Sequence, residues 1–208
     1  MNEKTRRILM TVGGVSFGAV GAGMMTHLSL GIDPFQVFSR GVWGLTPLDY
    51  GTFYVVLNAV MLAVIFFWNR RMIGLGTVIN LFGVGYILEW ARRGTAQYFP
   101  DPAPLARGGL MALALVILCL GSALYFTADL GVSTYDAVAL TLSERQKRVP
   151  FKYIRVLTDL FCVAAGWLLG ARRGYVGIGT IITAFFMGPL VSFFNRTVAQ
   201  PLRYGRKG

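Results

Sequence analysis

Long apolar runs separated by short polar segments dominate the chain. A bilayer core about 30 Å thick is crossed by a helix of about 20 apolar residues. Six runs approach that length, at 8–30, 52–68, 72–90, 110–126, 153–169 and 175–194. The pattern therefore predicts an all-α fold, a polytopic membrane helix bundle of about six transmembrane helices.

The composition favours the same class. Of the 208 residues, 55% are hydrophobic and 14% are charged, and the mean hydropathy is +0.58. Six spans take about 120 residues, which leaves no room for a soluble catalytic domain. We find no nucleophile with a base, no metal-ligand spacing and no cofactor fingerprint, so we expect neither an enzyme nor a metal or cofactor site. Cys119 and Cys162 are interpreted as buried apolar side chains.

The net charge of +11 comes from short basic clusters between the apolar runs, which indicates membrane topology rather than nucleic-acid binding. With the N-terminus inside, the cytoplasmic side holds thirteen basic residues: Lys4, Arg6, Arg7, Arg70, Arg71, Arg145, Lys147, Arg148, Lys152, Arg196, Arg203, Arg206 and Lys207. The other side holds six: Arg40, Arg92, Arg93, Arg107, Arg172 and Arg173. This bias predicts a multi-pass protein of the bacterial cytoplasmic membrane with both termini in the cytoplasm.

The sequence contains an internal repeat. GAGMMTHLSLGIDPFQ, from Gly21, aligns without gaps with GSALYFTADLGVSTYD, from Gly121. Two further matches follow in the same order, Arg70-Arg71 with Arg172-Arg173 and the segment from Gly76 with the segment from Gly179. We therefore predict two copies, 1–98 and 99–208, with three spans each. Because three is odd, the second copy would be inverted in the membrane, as in many secondary transporters.

Each copy also predicts a short helix after its first span. Asp33 is placed to cap a helix that starts at Pro34 and runs over 34–43. Ser133 is the equivalent cap for a helix over 134–142. About ten residues give a helix of about 15 Å, half a bilayer. These half-helices are either re-entrant, with N-termini that attract anions, or interfacial, and the sequence leaves both options open.

The fifth run carries Arg155 and Asp159, four residues apart and therefore on one helix face. In the repeat alignment Asp159 corresponds to Asn58 and Arg155 to Tyr54. Ionisable residues within a span are costly in lipid, so we expect Asp159 to bind substrate or a proton. The two side chains can pair with each other. For Arg155 we favour a structural role, in an ion pair that fixes helix packing, with its side chain extending to the cytoplasmic edge beside Lys152.

Other polar residues are weaker candidates for a substrate or ion site. Asn80 and Thr183 occupy equivalent positions in the third and sixth spans, where they would line a cavity or pack helices together. Asp129 and Asp136 lie on either side of the second Leu-Gly turn, where they would carry a coupling ion or cap the turn.

ADLGVSTYD, from Ala128, and the Gly-Thr pairs at Gly76 and Gly179, each followed by a glycine eight residues after the threonine, resemble the YczE/YitT-like family of small bacterial integral membrane proteins. The usual LG-x-S-P-x-D pattern of that family is divided here, since the first copy has Pro34 but Gln36 and the second has the serine and aspartate. The resemblance implies a transporter-like membrane architecture over nearly the whole chain.

These patterns predict a small transporter or transporter-like protein that binds a small polar or anionic solute between its two halves. The alternatives are a substrate-capturing subunit of an energy-coupled importer and a non-transporting membrane assembly partner. The expected partners are the lipid bilayer and a small-molecule solute. The glycines at Gly14 and Gly18 smooth one face of the first span, which suits packing within the bundle or a homodimer.

Overall fold

A computed structural model describes residues 2–48, 50–146, 149–170 and 175–205, apart from the side chains of residues 50, 51 and 152. The described residues form helices and connecting segments, without strands. The helices are α1 Glu3–Leu28, α2 Pro34–Trp43, α3 Tyr50–Trp68, α4 Leu75–Tyr98, α5 Pro104–Ala128, α6 Thr134–Arg145, α7 Phe151–Leu168, α8 Ile178–Phe194 and α9 Gln200–Tyr204. A 3-10 turn at Arg70–Met72 precedes α4, and a π-helical turn at Asn195–Ala199 joins α8 to α9.

Three of the described helical segments are both long enough and apolar enough to cross a membrane. They are α1, α5 and the continuous segment Ile178–Tyr204. The 19, 24 and 18 residues of α3, α4 and α7 correspond to lengths of about 28, 36 and 27 Å. The chain is therefore a polytopic helical membrane protein. The presence of six transmembrane helices stays a prediction, because α4 and α7 carry several charged residues that lower their mean hydropathy.

The order of elements occurs twice, since a long helix, a short helix and two further helices make up α1–α4 and again α5–α8. The prediction for α2 is confirmed residue for residue. The second short helix begins at Thr134 as expected but ends three residues later than predicted. Glu144 accepts a hydrogen bond from Asn69 Nδ2 at 2.9 Å, which supports the additional turn.

Part of the charge and repeat argument falls outside the described residues. This concerns Lys147, Arg148, Arg172, Arg173, Arg206 and Lys207, together with the Lys152 side chain. The match between the two arginine pairs therefore stays a prediction. The division at 98/99 also stays a prediction.

The first of two compact units contains Met1–Leu28, Gly74–Ser133 and Pro189–Gly208. Here α1 packs against both α4 and α5. A Cβ atom on Gly14 would lie 2.7 Å from the Tyr125 nitrogen, and one on Gly21 would lie 2.6 Å from the Ala114 oxygen. The small residues of α1 thus allow close packing against α5 within this unit.

The second unit contains Ser29–Ile73 and Thr134–Gly188, so each unit takes segments from both predicted copies. In this unit α2 packs along α7, and α6 packs against α3 and α7. A Cβ atom on Gly166 of α7 would lie 2.5 Å from the Val37 oxygen of α2. The two helix backbones are therefore in direct contact.

In the second unit, the segment between α1 and α2 is tied to the start of α8. Gly179 N donates to Leu30 O at 2.8 Å. The Thr180 hydroxyl donates to Ile32 O, also at 2.8 Å. Between them Gly31 has φ +121°, a conformation that glycine adopts without steric cost. These bonds satisfy carbonyl groups of a segment that belongs to neither helix.

The first unit contains the equivalent arrangement between the α5–α6 segment and the start of α4. Gly76 N donates to Leu130 O at 2.6 Å. The Thr77 hydroxyl donates to Val132 O at 2.8 Å. Gly131 has φ +98°. The Gly-Thr pair of each predicted copy therefore donates to the extended segment of the other predicted copy.

Candidate functional site

A buried ion pair lies on one face of α7 in the second unit. The Asp159 side chain has 0% exposure and Arg155 has 3%. Arg155 Nε donates to Asp159 Oδ2 at 3.2 Å, across one helical turn. The Arg155 side chain is thus turned into the protein, and the interpretation of this residue as an anchor that extends to the membrane edge is wrong. The i, i+4 spacing explains why the pair forms, because these positions share a helix face.

The Arg155 guanidinium contacts three further groups from other helices. Nη1 donates to Asp136 Oδ1 of α6, and Nη2 lies 3.7 Å from Met187 Sδ of α8. The central carbon lies 4.5 Å from the centre of the Tyr135 ring, in cation–π geometry. The planar guanidinium, with its five N–H donors, is suited to joining several helices at one point.

The first turn of α6 supplies the other side of the cluster. The Thr134 hydroxyl donates to Asn58 Oδ1 of α3 at 2.7 Å. The Tyr135 hydroxyl donates to Asp159 Oδ1 of α7. Asn58 in turn donates to a backbone carbonyl of its own helix. The structure therefore brings Asn58 and Asp159, the predicted equivalent pair, to the start of the same short helix.

The start of α2 meets the start of α6. Asp33 Oδ1 accepts a hydrogen bond from Phe35 N at 2.9 Å, which confirms Asp33 as the N-cap. The Phe35 ring stacks on the Tyr135 ring with centroids 4.9 Å apart, and Asp33 interacts electrostatically with Arg155. Two helix N-termini, each with partial positive charge, therefore lie close to the buried charges.

An apolar wall borders this cluster on the side of Phe35 and Tyr135. Cys162 is buried with Phe35 and Tyr135, as the sequence predicts for this cysteine. Phe38 and Leu57 pack against the same group. Such a wall excludes water and strengthens the electrostatic interactions inside it.

Three further predicted site residues are Thr183, Asn80 and Ser133. Thr183 is fully buried, but its hydroxyl donates to carbonyl groups of its own helix, at 3.0 Å each, which favours the packing role. Asn80 lies half-buried on α4 in the first unit. Ser133 directly precedes α6, the position expected of a cap.

Asp129 also belongs to the first unit. It follows α5 with φ +54°, and 69% of its side chain is exposed. Its Oδ2 lies 3.3 Å from the guanidinium groups of Arg7 and Arg203. The carboxylate thus joins two arginines at the end of α5, in line with the interpretation as a cap of the turn.

Sequence reasoning missed Tyr135, Thr77 and Thr180. All three lie inside the repeat motifs, Tyr135 opposite Phe35 and the threonines in the two Gly-Thr pairs. Recurrence in an aligned motif was the available signal, but it does not show which partner a hydroxyl will bond. The described residues contain no group of three or more His, Cys, Asp or Glu side chains placed to hold a metal ion.

A model described as "Family of unknown function (DUF6198)" matches residues 5–196. The chain belongs to this family. The DUF6198 region includes both short helices and every residue of the charged cluster. Membership of this family agrees with the resemblance to YczE-like proteins that the sequence motifs indicate. A curated relative named YczE confirms that resemblance.

Two curated relatives match most of the length of this DUF6198 chain. An "Uncharacterized protein" of Haemophilus influenzae (strain ATCC 51907 / DSM 11121 / KW20 / Rd) is 28% identical over 200 residues, 95% of this chain and 86% of the relative. The "Uncharacterized membrane protein YczE" of Bacillus subtilis (strain 168) is 24% identical over 179 residues, 85% and 79% of the two chains. No solved structure matches significantly.

Proposed function

We propose that this protein is a small inverted-repeat transporter whose substrate site is the cluster around Asp159 and Arg155. The observation that carries the proposal is the complete burial of Asp159 beside a buried arginine in an apolar helix bundle. Removing two charges from water costs several kcal/mol per ion, and ionisable residues within membrane spans mark substrate or ion pathways by default.

The repeat supports a transporter rather than a static bundle. Three spans per copy would place the copies in opposite orientations, and transporters of this kind bind their substrates where discontinuous helices begin. The short helices α2 and α6 start beside each other through Phe35 and Tyr135. Their backbone N–H groups and the polar side chains of Asn58 and Thr134 offer hydrogen bonds to a polar solute.

The charges of the cluster restrict the chemical class of the solute. Arg155 already contacts Asp136 and Asp159, so an anion would have to displace a carboxylate from the guanidinium. A small uncharged polar solute does not compete with a carboxylate for the guanidinium. We therefore favour a polar solute over the anionic one that the sequence left open.

We also propose that the protein lies in the bacterial cytoplasmic membrane with both termini in the cytoplasm, as the basic residues favour. Labelling of single cysteines in intact cells tests this orientation. A cysteine at Asn2 should react only after permeabilisation, whereas one at Asp101, in the α4–α5 connection, should react with an impermeant maleimide in intact cells. The reverse pattern would overturn the orientation.

The function is tested by thermal-shift screening of the detergent-purified protein against small metabolites, followed by uptake into proteoliposomes. A ligand that binds the native state raises the melting temperature. We expect a small polar solute to do so, and the variants Asp159→Asn and Asn58→Ala to reduce its affinity at least tenfold. The matched control is Asp129→Asn, a carboxylate outside the cluster, which should keep the affinity.

Either of two outcomes would overturn the proposal. One is a broad library without any shift while the protein stays folded, which would favour an assembly role. The other is a solute whose uptake is the same in wild type, Asp159→Asn and Asn58→Ala.

A further inference from the structure

Asp159 accepts hydrogen bonds at both carboxylate oxygens. Tyr135 donates to Oδ1 and Arg155 Nε donates to Oδ2 at 3.2 Å. The side chain has no exposure to solvent. The charge of this carboxylate is therefore balanced by neighbouring protein groups rather than by water.

The cation beside Asp159 is shared. Arg155 also donates to the Asp136 carboxylate, and Asp33 interacts electrostatically with Arg155 as well. One guanidinium thus serves two contacting carboxylates, with a third carboxyl group nearby. In a medium of low dielectric constant, a neighbouring negative charge disfavours the ionised form of a carboxyl group.

On the basis of the proposed function, we infer that this cluster binds a proton at Asp159 and that the proton is the coupling ion of transport. The carboxylate gains one proton and becomes a neutral carboxylic acid, and the acid O–H then donates to the Tyr135 oxygen. The ion pair between Arg155 and Asp136 remains. Protonation therefore converts the set Asp136, Arg155 and Asp159 from a net charge of −1 to a neutral one.

The groups that face Asp159 come from several elements. Tyr135 and Asp136 come from α6, and Arg155 and Cys162 come from α7. Asp33 interacts with Asp159 from the start of α2. From α3 the cluster receives the amide of Asn58, and from α8 the thioether of Met187.

The two predicted copies differ at the position of Asp159, and only the second has a carboxyl group there. The repeat equivalent of Asp159 is Asn58, whose amide does not titrate, and the equivalent of Arg155 is Tyr54. The alignment thus gives one proton-binding carboxyl group of this kind per chain. We expect a stoichiometry of one proton per transport cycle.

Infrared difference spectroscopy on the full-length protein in lipid tests the proton directly. Steps in pH should produce the carbonyl band of a buried carboxylic acid, which shifts in D₂O. The band should be lost in Asp159→Asn, shift in frequency in Asp159→Glu and persist in Asp101→Asn, an exposed carboxylate paired with Arg107. Should Asp159→Asn fail to fold, the shift in Asp159→Glu alone decides the assignment. No band assignable to Asp159, while the protein stays folded, would overturn the inference.

Coupling is tested with the solute identified by the thermal-shift screen. For one proton per uncharged solute, an inward gradient of one pH unit should raise accumulation about tenfold. Uptake that depends on Asp159 but ignores the pH gradient would overturn the coupling and leave the proposed transport function standing. A band at Asp159 without any solute uptake would retain the proton site and remove the transport function.

Discussion

The ring of Tyr135 lies on the ring of Phe35, with centroids 4.9 Å apart and an angle of 15° between the ring planes. Each residue is the second of a short helix, and the two are equivalent in the repeat alignment. Only Tyr135 carries a hydroxyl group, and this group donates to Asp159. The stacked rings thus join the two short helices through equivalent residues, whereas only Tyr135 of the two donates a hydrogen bond to Asp159.

Replacing Tyr135 by phenylalanine separates these two roles. The variant keeps the stacked ring but leaves Asp159 Oδ1 without its donor, so we expect a loss of about 1–3 kcal/mol in the free energy of unfolding. Equilibrium unfolding in mixed micelles measures it. Tyr86→Phe is the control, because 83% of Tyr86 is exposed, and it should stay within about 0.5 kcal/mol of wild type. Equal stability of both variants would contradict a contribution from the hydroxyl–carboxylate bond.

Replacing Arg155 by glutamine should be more damaging, because it removes the guanidinium that Asp136 and Asp159 share. Removing one partner of a buried pair costs about 3–5 kcal/mol. The additional change Asp159→Asn should restore part of this loss, because one buried carboxylate then no longer needs a cation. A double-mutant cycle measured by unfolding gives the coupling energy.

The control for that cycle is Arg107→Gln with Asp101→Asn, an exposed pair for which we expect a coupling energy below about 1 kcal/mol. If the Arg155–Asp159 cycle gives an equally small value, the buried network does not stabilise the protein in the way described.

Local signals in the sequence were enough to predict the short helices. An Asp-Pro start places α2 at Pro34, and the repeat transfers that start to Thr134. The helical class followed from the length and hydropathy of the apolar runs. These features depend on residues close together in the chain, and for that reason pattern reasoning found them.

The partners of the polar residues were harder to predict. The i, i+4 rule identified the Arg155–Asp159 pair, but not Asp136 or Tyr135, which come from another helix. Whether an arginine extends to the membrane edge or turns inward depends on what the neighbouring helices offer, and α6 offers a carboxylate and an aromatic ring. Sequence spacing contains no information about that packing.

The threonines of the two Gly-Thr pairs offer a test of the repeat at the level of energy. Thr180→Val and Thr77→Val each remove a buried hydroxyl that donates to a backbone carbonyl of the extended segment. Each should cost about 1–3 kcal/mol, since the carbonyl loses a donor. Thr180→Ser and Thr77→Ser should retain most of the stability. Thr26→Val is the control, because that hydroxyl donates to the Ala22 carbonyl of its own helix. Costs for Thr77 and Thr180 no larger than that of Thr26 would argue against the hydroxyl bonds as ties between segments.

Gly131→Ala should destabilise the protein for two reasons, backbone strain and a steric clash. A second glycine in the chain allows the two effects to be measured separately. Gly131 has φ +98°, and a Cβ atom there would lie 2.7 Å from the Thr77 hydroxyl oxygen. Gly170 has the same φ of +98°, but no atom of the described residues lies within 4 Å of the added Cβ. Gly170→Ala therefore measures the backbone strain alone, about 1–3 kcal/mol.

Gly131→Ala should exceed that value, because the segment must also move away from the Gly-Thr pair. Gly13→Ala, in open space on α1, should instead be neutral or stabilising by up to about 1 kcal/mol. Unfolding measurements on the three variants rank them. If Gly131→Ala costs no more than Gly170→Ala, the close approach between the extended segment and the start of α4 contributes nothing to stability.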